Sequence, residues 1–220
     1  MTAMNVEQAR WNMIEHQIRP WEVIDQNVLD LLYALKREDF VPAAYRMLAF
    51  SDLEIPIGHG ERMWPPKLEA RVLQALALNP TERVLEVGTG SGYFTALLAR
   101  RAQHVYSVEI EPELKALGEA NLRRAGIANV TVELGDGARG WSRHAPYDAI
   151  VLTGSTPELP QALLQQLKVG GRLFAVVGDP PVMAARLVSC AAEGAYNSID
   201  LLETQLAPLN NALAGERFSF

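Results

Sequence analysis

The stretch VLEVGTGSGY, residues 84–93, decides the fold of this 220-residue chain. It begins with the apolar and β-branched residues of a short strand and ends with glycines at alternate positions, Gly88, Gly90 and Gly92. Glycine lets the backbone turn sharply and lets a ligand approach the main chain closely. The free N–H groups of a helix that follows such a turn suit a carboxylate or a phosphate. The stretch therefore predicts a strand, a ligand-binding turn and a helix.

Strand-like and helix-like segments alternate beyond this turn. Strands are predicted at residues 83–88, 104–110, 129–136, 147–154 and 172–178, with helices at 92–102, 112–125 and 157–171 between them. Short connections in such an alternation indicate a mostly parallel sheet covered on both faces. Residues 184–192 and 198–209 could be two closing strands in antiparallel orientation. We expect an α/β fold with three layers, a doubly wound Rossmann-like sheet of seven strands.

The first part of the chain reads as a helical extension. Residues 5–19 have helical spacing until Pro20, and Asp25 is placed to cap a second helix. Residues 43–50 predict a short helical piece and 67–78 a further helix, whereas proline and glycine make 51–66 irregular or briefly extended. We expect a single domain, 1–220, made of an N-terminal acceptor-side segment (1–78), a cofactor-binding core (79–178) and closing strands (179–220).

Composition excludes several classes of protein. The formal net charge is −6 and no dense Lys/Arg stripe is present, so nucleic acid is not an expected partner. Cys190 is the only cysteine, which excludes an internal disulfide and fits a reducing compartment. The start of the chain lacks a secretory h-region, and no apolar run reaches the ~20 residues of a membrane helix. We expect a soluble cytoplasmic protein without a membrane partner, and without a metal because the histidines lack ligand spacing.

Two acidic residues follow the glycine turn at informative distances. Glu109 ends the second strand of the core, 109 − 88 = 21 positions after Gly88, where a carboxylate grips ribose hydroxyls in nucleotide-binding folds. Asp136 follows the third strand and could accept a hydrogen bond from an adenine amine. The dinucleotide fingerprint fails, because its last glycine would fall on Tyr93. This argues against a nicotinamide-dependent oxidoreductase, and the spacing resembles the first motif of S-adenosylmethionine-dependent methyltransferases.

Longer stretches resemble one family, the protein-L-isoaspartate O-methyltransferases, over roughly residues 6–178. They are VLEVGTGSGY (84–93), VYSVEIEPEL (105–114), GDG (135–137) with APYDAIVLTGS (145–155), LLQQLKVGGRLFAVVG (163–178) and REDFVPAAYRMLAFSDLEIPIGHG (37–60). The resemblance implies a class I methyltransferase fold, S-adenosyl-L-methionine as cofactor, S-adenosyl-L-homocysteine as product, and a protein or peptide carboxylate as acceptor. It implies cofactor contacts from Glu86, Gly88, Thr89, Gly90, Ser91, Gly92, Glu109, Ile110, Asp136 and Gly137.

One segment departs from the family pattern. Family members usually follow GHG with a Gln-Thr-Ile-Ser type run whose hydroxyls are implicated in acceptor binding or catalysis, but here the positions hold Glu61, Arg62, Met63 and Trp64. A carboxylate acceptor is ionised at pH 7 and needs no general base. A lost hydrogen bond to it costs about 1.5–3 kcal/mol. The catalytic residue is therefore unassigned, with His59, Arg62 and Trp64 as acceptor-side candidates. Arg62 can hold a carboxylate bidentately, and Trp64 could either line the acceptor pocket or pack in the core.

Three functions remain open on these residues. The chain could methylate a carboxylate on altered aspartyl residues, methylate another protein site or a small molecule, or bind S-adenosylmethionine without turnover. The first is what the resemblance implies, and the second and third follow from the altered segment. The sequence gives no oligomeric state.

Overall fold

A computed structural model describes residues 5–212 of the chain, so the expected single unit of 1–220 has its first four and last eight residues outside the described part. The helices are α1 (Val6–Met13), α2 (Gln26–Ala34), α3 (Pro66–Leu76), α4 (Tyr93–Ala99), α5 (Pro112–Arg124) and α6 (Gln161–Leu164). The strands are β1 (Ile55–Gly58), β2 (Glu61–Met63), β3 (Arg83–Val87), β4 (His104–Glu109), β5 (Val130–Leu134), β6 (Tyr147–Thr156), β7 (Leu167–Asp179), β8 (Val182–Ala192) and β9 (Ala195–Glu203).

Seven strands form one sheet in the order β5-β4-β3-β6-β7-β8-β9. The five strands from β5 to β7 pair in parallel, and β8 and β9 pair in antiparallel orientation at the far edge. This confirms the predicted mostly parallel seven-stranded sheet with two antiparallel closing strands. The chain order reverses at β3, which lies between β4 and β6.

Both faces of this sheet are covered. Val84 and Leu85 are consecutive residues of β3 and both are fully buried, yet they belong to different hydrophobic clusters. This is the expected result of a strand, whose successive side chains point to opposite faces. Helices α3 and α4 contribute to the cluster of Val84, while Leu163 of α6 and Trp141 pack with the cluster of Leu85. The sheet is therefore the middle one of three layers.

The N-terminal extension is helical, as predicted, but less regular. Helix α1 continues as a π-helix over Ile14–Ile18 and a 3-10 turn over Arg19–Trp21, so the helical run passes Pro20 by one residue. Asp25 caps α2, because its side chain accepts a hydrogen bond from the Asn27 N–H at 2.9 Å. Residues Ala43–Leu48 are 3-10 helix, and β1 and β2 form a small antiparallel hairpin.

The predicted helix over residues 157–171 is wrong for most of its length. Only Gln161–Leu164 is helical, and β7 already begins at Leu167. Gly170 has a φ of +83°, and a Cβ on Gly171 would lie 2.9 Å from the Lys168 carbonyl oxygen. The two glycines therefore allow a bulge inside a strand, where the sequence pattern suggested a helix end.

Within residues 5–212, no helix combines the length and the apolar character that crossing a bilayer requires.

Candidate functional site

A cavity of about 220 Å³ opens at the carboxyl ends of the parallel strands. It is lined by the ends of β3 and β4, by the loop after β5, by the end of β6, by the hairpin β1–β2 and by residues 206–210 near the end of the described chain. Open α/β sheets bind ligands at this edge, at the strand where the order reverses. Here that strand is β3, and the glycine turn follows it.

The glycine turn packs closely against the side chain of Thr153. Gly88 and Gly90 have φ values of +101° and +52°, which glycine tolerates at little cost. A Cβ on Gly88 would lie 2.1 Å from Thr153 Oγ1, and that hydroxyl donates to the carbonyl oxygens of Val87 and Gly88 at 2.8 and 3.0 Å. The turn therefore presents bare backbone to the cavity and has no room for a side chain at its first position.

Glu109 lies beside this turn at the end of β4. Its side chain is 5% exposed and lines the cavity. Oε2 accepts the Gly90 N–H at 2.9 Å, and Oε1 accepts the Glu111 N–H at 3.0 Å. Each carboxylate oxygen has a second lone pair, so the group can also accept two ribose hydroxyls. This arrangement fits the nucleoside part of the expected cofactor.

The loop after β5 supplies the neighbouring wall. Gly135 and Gly137 line the cavity with Asp136, and exposed Ile110, the residue after β4, adds an apolar surface. Asp136 Oδ1 accepts the Ala138 N–H at 3.0 Å, which fixes the carboxylate at the cavity. A carboxylate and an apolar side chain together suit the amine edge and the flat face of an adenine base.

Two of the predicted cofactor residues lie behind the wall. Glu86 is fully buried under α4, where its Oε2 accepts hydrogen bonds from Thr95 Oγ1 (2.5 Å) and Ser107 Oγ (2.6 Å). Ser107 is in turn 2.6 Å from Thr89 Oγ1, so Glu86 reaches the cavity only through two hydroxyl groups. Burial raises the pKa of Glu86 to about 8, which keeps this carboxyl protonated at neutral pH.

Gly92, the other residue behind the wall, is a packing position. It precedes α4 with a φ of +79°, and a Cβ there would lie 3.0 Å from the Gly118 carbonyl oxygen. Gly118 lies in the middle of α5, and its own Cβ would be 2.7 Å from Thr89 Cγ2. The two glycines let α5 pack directly against the glycine turn.

The three acceptor-side candidates are placed differently. Arg62 is exposed and Trp64 is 6% exposed, and both line the cavity. His59, at a φ of +54°, is outside the lining and pairs on the surface with Glu113, Nε2 to Oε2, at 2.8 Å. The structure thus places Arg62 and Trp64 in the same cavity as the glycine turn and leaves His59 outside the cavity lining, in the turn between β1 and β2.

Trp64 is held on both its side chain and its backbone. Nε1 donates to the Thr153 carbonyl oxygen at 2.7 Å, and the ring packs against Phe94 and Phe174 with centroids 5.2 and 5.9 Å away. The Trp64 carbonyl oxygen accepts from the guanidinium of Arg37 at 2.7 Å. The residue therefore packs in the core and also forms part of the cavity wall.

Arg37 belongs to a buried ion pair under the hairpin. Its guanidinium contacts the carboxylate of Glu69, and both side chains are at most 2% exposed. Burial alone lowers the pKa of Arg37, but the adjacent carboxylate raises it by more, so the guanidinium stays charged. A second hydrogen bond, from Nε to the Ala49 carbonyl oxygen at 3.0 Å, ties the helical extension to the same cation.

Residues 206–211, named here the closing segment, cross the cavity edge. The segment pairs with β6 on both sides of Ser155, whose N–H donates to Ala207 and whose carbonyl accepts from Leu209, each at 2.9 Å. Asn211 Nδ2 donates to Asp136 Oδ2 at 3.0 Å, which joins the segment to the loop after β5. The sequence pattern placed residues 206–209 in a closing strand, but β9 ends at Glu203. No local pattern signals that these residues contact β6, a strand fifty residues earlier, and line the cavity.

Of the predicted cofactor residues, eight line one cavity: Gly88, Thr89, Gly90, Ser91, Glu109, Ile110, Asp136 and Gly137. Their contact with the cofactor stays a prediction. Among residues 5–212, no group of three or more His, Cys, Asp or Glu side chains is arranged to hold a metal ion.

The chain shares its fold with solved methyltransferases. A protein-L-isoaspartate O-methyltransferase structure superposes with a TM-score of 0.77 at 26% identity, covering 94% of this chain and 66% of that one. A protein of Plasmodium falciparum, solved in complex with S-adenosyl-L-homocysteine, superposes with a TM-score of 0.79 at 20% identity, covering 94% and 99%. The second likeness shows the fold alone.

Sequence comparison gives the family. The pattern of protein-L-isoaspartate(D-aspartate) O-methyltransferase matches residues 8–212. The protein-L-isoaspartate O-methyltransferase of Gloeobacter violaceus is 44% identical over 166 residues, which are 76% of this chain and 81% of the relative. That of Anaeromyxobacter dehalogenans is 44% identical over 189 residues, 85% and 90% of the two chains. The chain therefore belongs to the protein-L-isoaspartate O-methyltransferase family.

Proposed function

We propose that the protein methylates the free carboxylate of an isoaspartyl residue in a protein or peptide, with S-adenosyl-L-methionine as donor, in the cytoplasm. Its relatives carry the name of this activity. One observation supports it most: a single cavity extends from the glycine turn and Glu109, which suit a nucleoside, to the exposed guanidinium of Arg62, which suits a carboxylate.

The donor fits the residues that are present. Glu109 and Asp136 would hold the ribose and the adenine, and the backbone of Gly88 and Gly90 lines the part of the cavity that the rest of the molecule would occupy. The bound cofactor supplies a methyl group that its sulfonium already activates. The protein then needs only to bind, to orient and to exclude water.

The acceptor requires orientation more than activation. A carboxylate has an ordinary pKa near 4 and is nucleophilic at pH 7 without a general base. Arg62 can hold it through two parallel N–H···O bonds, and positioning alone can supply a large part of a rate enhancement. Arg62 is exposed and lines the cavity, so its donors are accessible to a substrate.

A second candidate is binding without turnover. It is favoured by one observation, that the indole of Trp64 forms the wall where family members usually have a hydroxyl. Glu61, Arg62 and Asn210 line the same cavity as Trp64 and the glycine turn, so the ring does not close the acceptor side off from the donor side. This shared cavity favours an enzyme.

Methyl transfer to a synthetic isoaspartyl peptide tests the proposal, with the matched aspartyl peptide as substrate control. We expect base-labile methyl ester only on the isoaspartyl peptide. Replacement of Arg62 by Ala should raise the acceptor KM about tenfold or more, the equivalent of ~1.5 kcal/mol, because a charged hydrogen-bond donor is lost. The donor Kd should not change. Arg100→Ala, an exposed arginine outside the cavity lining, is the matched control.

The outcomes separate the alternatives. One outcome is methylation of a small-molecule carboxylate or another protein site and not of the isoaspartyl peptide. That result would change the assigned acceptor and leave the methyltransferase assignment in place. Tight donor binding without turnover on any acceptor would favour the binding protein.

A further inference from the structure

The order of the strands fixes the order of groups along the cavity. Asp136 follows β5, Glu109 ends β4, Gly88 follows β3 and Thr153 lies near the end of β6, and these strands are successive neighbours in the sheet. If Asp136 and Glu109 hold adenine and ribose, as the proposed function assumes, the sulfur end of the donor extends over β3 towards β6. This inference rests on the proposed use of that donor.

Trp64 lies at that end of the row. Its Nε1–H is bonded to the carbonyl oxygen of Thr153, whose hydroxyl donates to the carbonyl oxygen of Gly88. Two hydrogen bonds therefore link the indole to the first glycine of the turn. Because the only polar atom of the ring is already paired, the part of Trp64 that lines the cavity is an aromatic hydrocarbon surface.

The ring cannot easily turn away from the cavity. Phe94 and Phe174 pack against it, and Arg37 binds its carbonyl oxygen. Pro65 and Pro66 follow directly and restrict the backbone. A rigid aromatic wall offers the methyl acceptor no hydrogen bond, whereas a hydroxyl group at this position would offer one.

We propose that Trp64 recognises the positive charge of the sulfonium and thereby makes the protein bind the methylated donor more tightly than its demethylated product. Aromatic rings, and indole most strongly, attract a desolvated cation placed over the face of the ring. The product is a neutral thioether and receives no such attraction. Trp64 is then a specificity-determining residue for donor over product.

Carboxylates provide a competing source of the same preference. Glu54 and Glu61 also line the cavity, and both are partly buried. They would favour any cation at this end by charge alone. A variant that removes one of these charges and leaves the ring in place separates the two causes.

Titration calorimetry with S-adenosylmethionine and S-adenosylhomocysteine tests the inference. Wild type should bind the donor more tightly than the product. In Trp64→Leu the donor Kd should rise about 3- to 30-fold, the range of a cation–π interaction, and the product Kd should change less than about twofold. Trp64→Phe should retain most of the preference, and Glu61→Gln and the remote control Trp11→Leu should retain it nearly in full.

Several results would overturn the inference. One is an equal loss of donor and product affinity in Trp64→Leu, which would mean that the ring only packs. Another is loss of the preference in Glu61→Gln with retention in Trp64→Leu. Trp64→Met, which preserves much of the volume without a ring, gives the same comparison if the leucine variant fails to fold. Wild type that binds neither compound would refute the proposed function itself, whereas binding of both with equal affinity would refute this inference alone.

Discussion

The donor side and the acceptor side of the cavity are built in different ways. The donor side consists of residues at or just after the ends of β3, β4 and β5. Its key contacts join positions close in the chain, such as Gly90 and Glu109. The acceptor side is assembled from distant segments, as in the bond from Trp64 Nε1 to the Thr153 carbonyl. A short strand–turn–helix unit can keep its geometry from one protein to another. A cavity wall formed by distant segments can instead be altered by single substitutions in one of those segments.

The largest effect is expected from breaking the buried ion pair between Arg37 and Glu69, which lies under the acceptor side. Arg37→Met removes one partner of a buried ion pair and leaves the Glu69 carboxylate without its cation. We expect the free energy of unfolding to fall by about 3–5 kcal/mol, because an unpaired buried charge is costly. Urea denaturation followed by circular dichroism measures this change.

Two further variants serve as controls for that result. Arg71 lies in α3, as Glu69 does, and pairs with the exposed Glu22. Arg71→Met breaks this surface pair and should lower the free energy of unfolding by no more than about 1 kcal/mol. Arg37→Met combined with Glu69→Leu should recover part of the loss, since no charge remains buried. Equal losses in Arg37→Met and Arg71→Met would contradict the importance of this pair.

A smaller effect is expected on the donor side. Glu109→Gln keeps the shape of the side chain but removes the charge and one acceptor oxygen, which are needed for Gly90, Glu111 and the ribose together. The Kd of S-adenosylmethionine should rise roughly 10- to 100-fold, the equivalent of about 1.5–3 kcal/mol. Calorimetry measures it, with Glu119→Gln in α5, outside the cavity lining, as control. A change below twofold would remove Glu109 from the cofactor site.

The smallest effect concerns the carboxyl behind the donor wall. Burial raises the pKa of Glu86 from 4.5 to about 8, so between these values the folded protein keeps a proton that the unfolded chain releases. The stabilisation is complete below pH 4.5 and is lost as the pH rises towards 8. This group should lower the free energy of unfolding by roughly 1 kcal/mol between pH 6 and 7.

Glu86→Gln tests this dependence, because the amide cannot titrate. Urea denaturation at about pH 6, 7 and 8 should show a shallower decline in the variant than in wild type. Identical slopes in the two proteins would show that Glu86 is ionised throughout. Glu119→Gln again provides the control, because it removes a partly exposed carboxylate outside the cavity.

The donor side was predictable because its signals are local. The spacing from Gly88 to Gly92 indicated the turn, and the distance to Glu109 indicated a second strand end at the same edge of the sheet. The same local reasoning placed Glu86 at the cofactor, but its side chain does not line the cavity, because strand alternation directs it under α4. The prediction of a helix over 157–171 was also based on a local pattern, because Gly170 and Gly171 were interpreted as a helix end, whereas they lie inside β7.

The acceptor side was predictable only as a departure from the family pattern. The sequence indicated that Arg62 and Trp64 replace hydroxyl residues, and it left open whether Trp64 packs or lines a pocket. The structure shows both, because the ring is held by Thr153 from a different part of the chain. No sequence signal pointed to the closing segment or to the pairing of Arg37 with Glu69, since both contacts join segments far apart in the chain.

Gly118 has a consequence for attempts to make the protein more heat-resistant. A glycine inside a helix ordinarily invites replacement by alanine, which improves helix propensity by about 1 kcal/mol. Here the added methyl would press on Thr89 and on the Gly90 carbonyl oxygen, 2.7 and 3.1 Å away. A search for thermostabilising substitutions that considers only the helix propensity of α5 would therefore select a change that displaces the glycine turn.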